Sequence, residues 1–436
     1  MATWFHHLST RERRTFWVCF AGWALDAMDV QLYAVAMPTL IGLWSLTKAE
    51  AGLLGTSALV TSALGGWLAG VLADKFGRVK VLQITILWFA GFTFLSGFTN
   101  SFNQLLLVRC LQGLGFGGEW AAGAVLMAEV IRPEFRGRAV GCVQSGWSVG
   151  YGAAAILFTM VFSVATPDLA WRYLFWMGIL PAIALVFIRR RVEEPDIYTT
   201  ARKRTAETMT RASVLDIVRP PLLRTTLIAS LLASGALGGN YTILTWLPTY
   251  LSTVRHLDVV STGSYLIVNI LGSFLGYVIS AHLSDWLGRR RTFLLSATLA
   301  AVTISVYMFA PVGPLAVLVL GFPLGFFQSG IVAGIGATFA ELYPTSVRGT
   351  GQGFSYNVGR GLGSVMPAVV GIVSGSVPLS QAIGACAVVS YGLVLVAVVL
   401  LPETRGRALD ESVFTAPRAA GVDASAATRV FESTSS

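Results

Sequence analysis

The chain has 436 residues, of which 54% are hydrophobic and only 12% charged, with a formal net charge of +9. A soluble domain carries roughly 25% charged residues, so a water-facing globule is excluded for most of this chain. The excess of Lys and Arg does not point to a nucleic acid, because its placement follows a membrane topology, as shown below.

The charges are clustered and leave long gaps: residues 51–73, 81–108, 139–167 and 292–340 contain none. A helix needs about 20 apolar residues to cross a bilayer core. The last gap holds two spans parted by Pro311 and Pro314. The strict two-residue alternation of a membrane barrel is absent. Taken in chain order, the predicted spans are 16–42, 51–73, 81–99, 104–130, 138–164, 171–189, 224–250, 262–284, 292–310, 314–340, 347–373 and 380–401. The basic start (Arg11, Arg13, Arg14) is like a signal peptide's first region, but the apolar run after it is too long and holds two aspartates.

Sorted by loop, Lys and Arg collect on one side: Arg11 to Arg14, Lys75 to Lys80, Arg132 to Arg138, the middle loop 189–224, Arg289 to Arg291, Arg348 and the tail. The other side holds only Lys48, Arg172 and Arg255. Basic residues accumulate in short cytoplasmic loops, so both termini are expected in the cytoplasm. Cys19, Cys110, Cys142 and Cys386 all fall inside predicted spans without paired spacing, which reads as packing; neither a disulfide nor a metal site is expected.

The chain repeats itself. Glu129, Arg136-Gly137 and Gly141 recur as Glu341, Arg348-Gly349 and Gly353, an offset of 212 residues. Asp74, Gly77 and Arg78 recur as Asp285, Gly288 and Arg289, an offset of 211. The expected fold is therefore all-α and integral to the membrane, twelve helices in two six-helix pseudo-repeats. The expected division is a cytoplasmic segment 1–15, a first bundle 16–189, a linker 190–223, a second bundle 224–401 and a tail 402–436. The end of the tail is rich in Ala, Ser and Thr, as disordered segments are.

Asp74-Lys75-Phe76-Gly77-Arg78, Arg109-Cys110-Leu111-Gln112-Gly113 and Pro402-Glu403-Thr404-Arg405-Gly406 resemble, in order, the loop 2–3, fourth-helix and twelfth-helix motifs of the major facilitator superfamily. Gly22-Trp23 with Asp26 and Asp29, and Tyr356-Asn357 with Arg360, resemble its sialate:proton and aromatic-acid:proton symporters. That resemblance implies a secondary transporter, not an enzyme, seated in a bacterial inner membrane and usually monomeric. Its expected partners are a small organic anion, protons and the lipid bilayer, with no cofactor beyond the coupling proton. It also implies that Asp74 bridges the two halves on the cytoplasmic side, with Asp285 and Arg289 as a second copy. The gating set is thus Asp74, Gly77, Arg78, Glu129, Arg136, Asp285, Gly288, Arg289, Glu341 and Arg348. Glu129 and Glu341 can pair with Arg136 and Arg348, seven residues on. Topology alone requires basic residues but neither the acids nor their duplication. Neutralising Asp74 is expected to shift the inward-open population.

Ionisable groups inside a membrane are unfavourable and mark function. Five stand out: Asp26 and Asp29 in the first span, Arg109 and Glu119 in the fourth, Arg360 in the eleventh. Asp26 and Asp29 are three apart and share a helix face. At about 1.5 Å per residue, Asp29 and Arg360 lie about 20 Å in from the cytoplasm and Arg109 about 8 Å below the outer surface. The expectation is one polar layer. Three acids against two arginines leave an excess negative charge, so one acid is expected to carry a proton in part of the cycle. Arg360, with Tyr356 and Asn357, is the expected grip on the anion, and Arg109 the counter-ion of Asp29 or Asp26. Structural pairing between helices is the competing role for all five, most of all for Glu119 beside Gly113, Gly115, Gly117 and Gly118. No hydrolytic grouping and no P-loop is present. Drug or cation antiport and a membrane sensor of the same fold are the alternatives. The first lacks the expected Gly-Pro pair in span five, and the second lacks a soluble appendage.

Overall fold

The computed structural model describes residues 3–76, 78–131, 136–180, 183, 217–344 and 347–404, and among these every regular element is a helix. In order they are α1 (Thr3–His6), α2 (Thr10–Trp44), α3 (Lys48–Phe76), α4 (Arg78–Ser96), α5 (Phe102–Val130), α6 (Arg136–Gln144), α7 (Gly146–Val164) and α8 (Pro167–Met177). The second series is α9 (Leu223–Thr249), α10 (Val259–Leu287), α11 (Arg289–Phe309), α12 (Pro314–Leu342), α13 (Arg348–Gly363), α14 (Met366–Val373) and α15 (Leu379–Leu400). Among the described residues, eight helical stretches are each long and apolar enough to cross a membrane; eleven of the twelve predicted spans fall on one of the helices named above or on a pair of them, and most of the second half of the span 171–189 lies outside the described residues. Most of the linker and the tail from residue 405 lie outside the described residues, as do Gly77 and the side chains of Asp74, Arg78, Glu119, Glu129 and Arg136.

The helix ends follow local chemistry. Ser9 and Glu12 form a reciprocal capping box that starts α2 six residues before the predicted span. Thr47 and Glu50 make the same exchange at α3. Asp258 caps α10 through the Ser261 N–H, and Pro167 and Pro314 occupy first-turn positions where no N–H is needed. Two predicted spans are broken rods: α6 gives way to α7 at Ser145, and α13 to α14 at Ser364–Val365. Discontinuous helices in matching places of two repeats are typical of transporters.

Glycines set the packing. On α5, Gly113 abuts the Ala58 carbonyl and Thr61 of α3, and Gly117 the Ser62 carbonyl. The counterpart seam joins α10 to α12, where Gly272 and Gly276 abut the Phe322 and Phe326 carbonyls and Gly325 that of Asn269. Such contacts let membrane helices approach at backbone distance. The series meet where α2 packs on α9, α3 on α13 and α14, α6 on α10 and α12, and α7 on α10. At the Lys48 end of α3 this contact is close: the Ala368 N–H donates to Thr56 Oγ1 at 3.0 Å, and Gly52 and Gly371 lie against opposing backbone. Trp246 of α9 donates to the Pro367 carbonyl at 3.0 Å. All four cysteines are free, Cys19 and Cys386 buried.

Candidate functional site

The ionisable residues of the first span face inward. Asp26 and Asp29 on α2 are 0% and 1% exposed, and Arg109 on α5 and Arg360 on α13 are 1% exposed each. None of the four faces lipid.

Arg109 and Asp29 do not form the direct pair expected of them. Arg109 Nη1 donates to Gln112 Oε1 at 3.0 Å, Gln112 Nε2 donates to Thr93 Oγ1 at 2.7 Å, and Thr93 Oγ1 donates to Asp29 Oδ2 at 2.8 Å. Two neutral side chains thus stand between cation and acid. Arg109 also sits 4.5 Å over the Tyr33 ring and reaches the Leu54 carbonyl through Nε at 3.4 Å. Gly178, just past α8, allows the approach, since a Cβ there would lie 3.2 Å from Asp29 Oδ1. Thr93, Gln112 and Gly178 carry no signal in the sequence beyond the place of Gln112 in the fourth-helix motif.

Arg360 belongs to a different level. Its guanidinium lies 4.3 Å over the Phe116 ring of α5, so it reaches across from one series of helices to the other. Phe116 in turn meets Trp147 at 6.3 Å, and Trp147 meets Trp23 at 5.2 Å. Phe116 is one helical heptad past Arg109, about 10 Å along the axis. The single polar layer expected from counting is therefore two levels. Counting from span ends treats helices as upright rods and ignores how far an arginine reaches from its Cα, and α13 is additionally broken after Gly363. Around Arg360 stand the Tyr241 and Tyr356 hydroxyls, with Tyr277 beyond them. Its Nε and Nη1 are buried and have no hydrogen-bond partner among the described residues. Tyr356 shares its face, but Asn357 does not join them: its Nδ2 donates to the Gly353 carbonyl at 2.9 Å and its Oδ1 lies against Gly66 of α3. The expected grouping loses Asn357 to a helix contact and gains Tyr241 and Phe116.

At the Leu287 end of α10 a third cluster forms. Arg289 pairs with Asp285 at 2.6 Å and with Glu341 at 2.7 Å, and Thr404 Oγ1 donates to Glu341 at 2.6 Å. Glu341 therefore meets Arg289; Arg348, the partner expected from spacing, sends Nε to the Tyr343 carbonyl at 3.3 Å instead. Glu403, of the twelfth-helix motif, accepts from the Arg289 and Arg290 N–H groups at 2.9 and 3.2 Å. An acid at the amino end of α11 satisfies orphan donors and the helix dipole together. Gly288 between them has φ +97°, a backbone conformation that calls for glycine, and a Cβ there would come within 2.8 Å of Glu403 Oε2 and displace that carboxylate. Every described member of this cluster comes from the second series of helices, so this copy ties one half to itself where the resemblance implied a bridge between halves. The first copy, at Asp74, Gly77, Arg78, Glu129 and Arg136, lies outside the described residues and side chains, as does Glu119.

An all-α membrane bundle with ions buried inside it, one of them reaching across the contact between two helix series, is the architecture of a multi-pass carrier. The profile of the Major Facilitator Superfamily matches residues 19–366 and 266–424, and the chain belongs to that superfamily. It is 42% identical over 413 residues to a protein of Cupriavidus pinatubonensis described as a probable 4-methylmuconolactone transporter, covering 94% of this chain and 95% of that one. It is 31% identical to the cis,cis-muconate transport protein of Acinetobacter baylyi, over 82% of this chain and 87% of that one. The inward-open xylose transporter XylE from E. coli superposes with a TM-score of 0.72 at 16% identity, over 91% of this chain and 98% of that one, a likeness of fold.

Proposed function

We propose that the protein is a proton-coupled symporter of a small organic anion, in the monocarboxylate, aromatic-acid or sialic-acid class, working by alternating access. It acts as a monomer in a bacterial inner membrane, with both termini cytoplasmic and the Lys48 end of α3 outward. The observation that carries this is Arg360: a fully buried, permanent cation at the contact of the two helix series, with two nitrogens unengaged among the described residues. A buried cation whose donors are not all met is strongly unfavourable. A carboxylate supplied from solution satisfies it, and the aromatic faces of Phe116, Trp147 and Trp23 suit a flat or unsaturated solute. The relatives named for muconolactone and muconate fit that chemistry.

No P-loop accompanies this site, so transport draws on a gradient, and the buried acids Asp26 and Asp29 of α2 are the candidates to carry its proton. Uptake into proteoliposomes with an imposed inward pH gradient tests the proposal. Labelled cis,cis-muconate, nicotinate and N-acetylneuraminate are compared with one cationic drug and with xylose. Gradient-driven accumulation of at least one carboxylate, and of neither control, is expected. Accumulation of the cationic drug under an opposed gradient would assign antiport instead.

A further inference from the structure

We propose that Thr93 and Gln112 are positioning residues that tie proton occupancy of Asp29 to Arg109, and through it to the closed contact at the Lys48 end of α3. This rests on the symport reading above.

The two oxygens of Asp29 are not equivalent. Oδ2 accepts from Thr93, whereas Oδ1 is buried with no hydrogen-bond partner among the described residues. An arriving proton therefore has one open oxygen. The Thr93 hydroxyl has a single hydrogen but two acceptors within reach, Asp29 Oδ2 at 2.8 Å and the Phe89 carbonyl at 2.9 Å. A carboxylate draws that hydrogen more strongly than a carbonyl does, because charge-assisted hydrogen bonds are the stronger ones. Once Oδ1 is protonated the advantage goes, and the hydrogen is free to return to Phe89. The Thr93 oxygen itself stays anchored, since it accepts from Gln112 Nε2 at 2.7 Å in either case. Gln112 in turn cannot flip its amide, because Arg109 only donates and claims the Oε1 end.

The string continues outward. Arg109 is bonded to the Leu54 carbonyl, and Tyr33, beneath its guanidinium, donates to the Ala51 carbonyl at 2.6 Å. Ala51 and Leu54 flank Gly52 and precede Thr56, the residues of α3 that lie against Pro367 and Ala368. Charge at Asp29 is thus connected, bond by bond, to the segment that closes on α14. The other ionisable groups facing Asp29 are Asp26 one turn earlier on α2, Tyr33 one turn later and Arg109 on α5. Thr93 of α4 and Gly178, just past α8, also meet it, while Arg172 of α8 is held by the Gly97 and Thr99 carbonyls and Asn100. A direct ion pair would lock the carboxylate charged; two neutral groups in between leave it able to bind and release. The proton comes from water on one side and leaves to water on the other, and the Thr93 hydrogen never leaves Thr93.

The test uses the full-length protein reconstituted in lipid. Infrared difference spectra are recorded during a pH titration, and the carboxyl band lost in Asp29→Asn is assigned to Asp29. Thr93→Val keeps the side chain's shape and removes the hydroxyl, so its proton affinity at Asp29 should change about tenfold, while Thr93→Ser should titrate like the parent. In the same vesicles, with cis,cis-muconate as probe, the ratio of gradient-driven accumulation to equilibrium exchange should fall at least about tenfold in Thr93→Val and recover in Thr93→Ser. Gln112→Met, which keeps length and removes both polar atoms, should act as Thr93→Val does and serves if the valine variant fails to fold. An unchanged Asp29 titration in both Thr93→Val and Gln112→Met overturns the proposal. A parent protein that exchanges the probe but never accumulates it overturns the symport reading, and the infrared titration still decides the role of Thr93.

Discussion

The two halves of the molecule are built on the same packing but hold their buried charge in opposite ways. In the first, Arg109 is bonded to Gln112 and Leu54 and stacked on Tyr33, and the chain of donors ends on Asp29. In the second, Arg360 has a ring beneath it and hydroxyls beside it, yet two of its nitrogens find no acceptor among the described residues. A cation satisfied by its own protein can adjust a neighbour; a cation left wanting an acceptor can hold a ligand. The duplicated scaffold therefore places its two buried arginines in different surroundings, and the difference lies in a few polar and aromatic side chains and not in the helices.

The largest expected effect removes the Arg360 cation. Arg360→Gln and Arg360→Lys should each lower carboxylate uptake by roughly 100-fold, in line with the 2–5 kcal/mol attached to a buried hydrogen-bonded charge, and Lys fails because it offers a point charge in place of a planar fork. Size-exclusion profiles like the parent's would show that folding survives. Normal substrate affinity in Arg360→Lys would remove this residue from the site and break the contrast.

Next come the seams that the halves share. Gly117→Val in one and Gly272→Val in the other push a side chain into the Ser62 and Phe322 carbonyls. Each should cost about 1–3 kcal/mol of stability or more, read as a lowered thermal midpoint in detergent. Similar losses in both halves would confirm that packing is common ground; a loss in one alone would show that the repeats are not equivalent even there. A smaller effect is expected for Phe116→Leu, which keeps the apolar surface but removes the ring under Arg360. Substrate affinity should weaken up to about 30-fold, the scale of a desolvated cation–π contact of about 2 kcal/mol, with equilibrium exchange otherwise retained. Least of all, Glu403→Gln should lower stability by about 0.3–1 kcal/mol, the worth of an acid at a helix amino end, measured by the same thermal assay.

Much of this was legible before any fold was known. The helices could be placed because a bilayer core about 30 Å thick sets a minimum length on any apolar run, and the repeat of Glu129, Arg136 and Asp74 at 211 and 212 residues marked two halves. Asp29, Arg109 and Arg360 announced themselves as ions in spans that should hold none. Their partners did not. Spacing pairs Glu341 with Arg348, yet it meets Arg289, because the return of α11 beside the end of α12 matters more than nearness in sequence. Tyr241 and Phe116 were indistinguishable from the many aromatics of an apolar chain until Arg360 was found between them.

By itself, then, the sequence determined that the chain is built of long apolar helices and that Asp26, Asp29, Arg109 and Arg360 lie among them, since the water-free bilayer imposes both on single segments, and its internal repeat showed that the helices come in two related sets. Only the tertiary structure decided which ion meets which neighbour. Rotation and tilt of one helix against another select the partner, and neutral donors such as Thr93 and Gln112 look like any other polar residue until that selection is made.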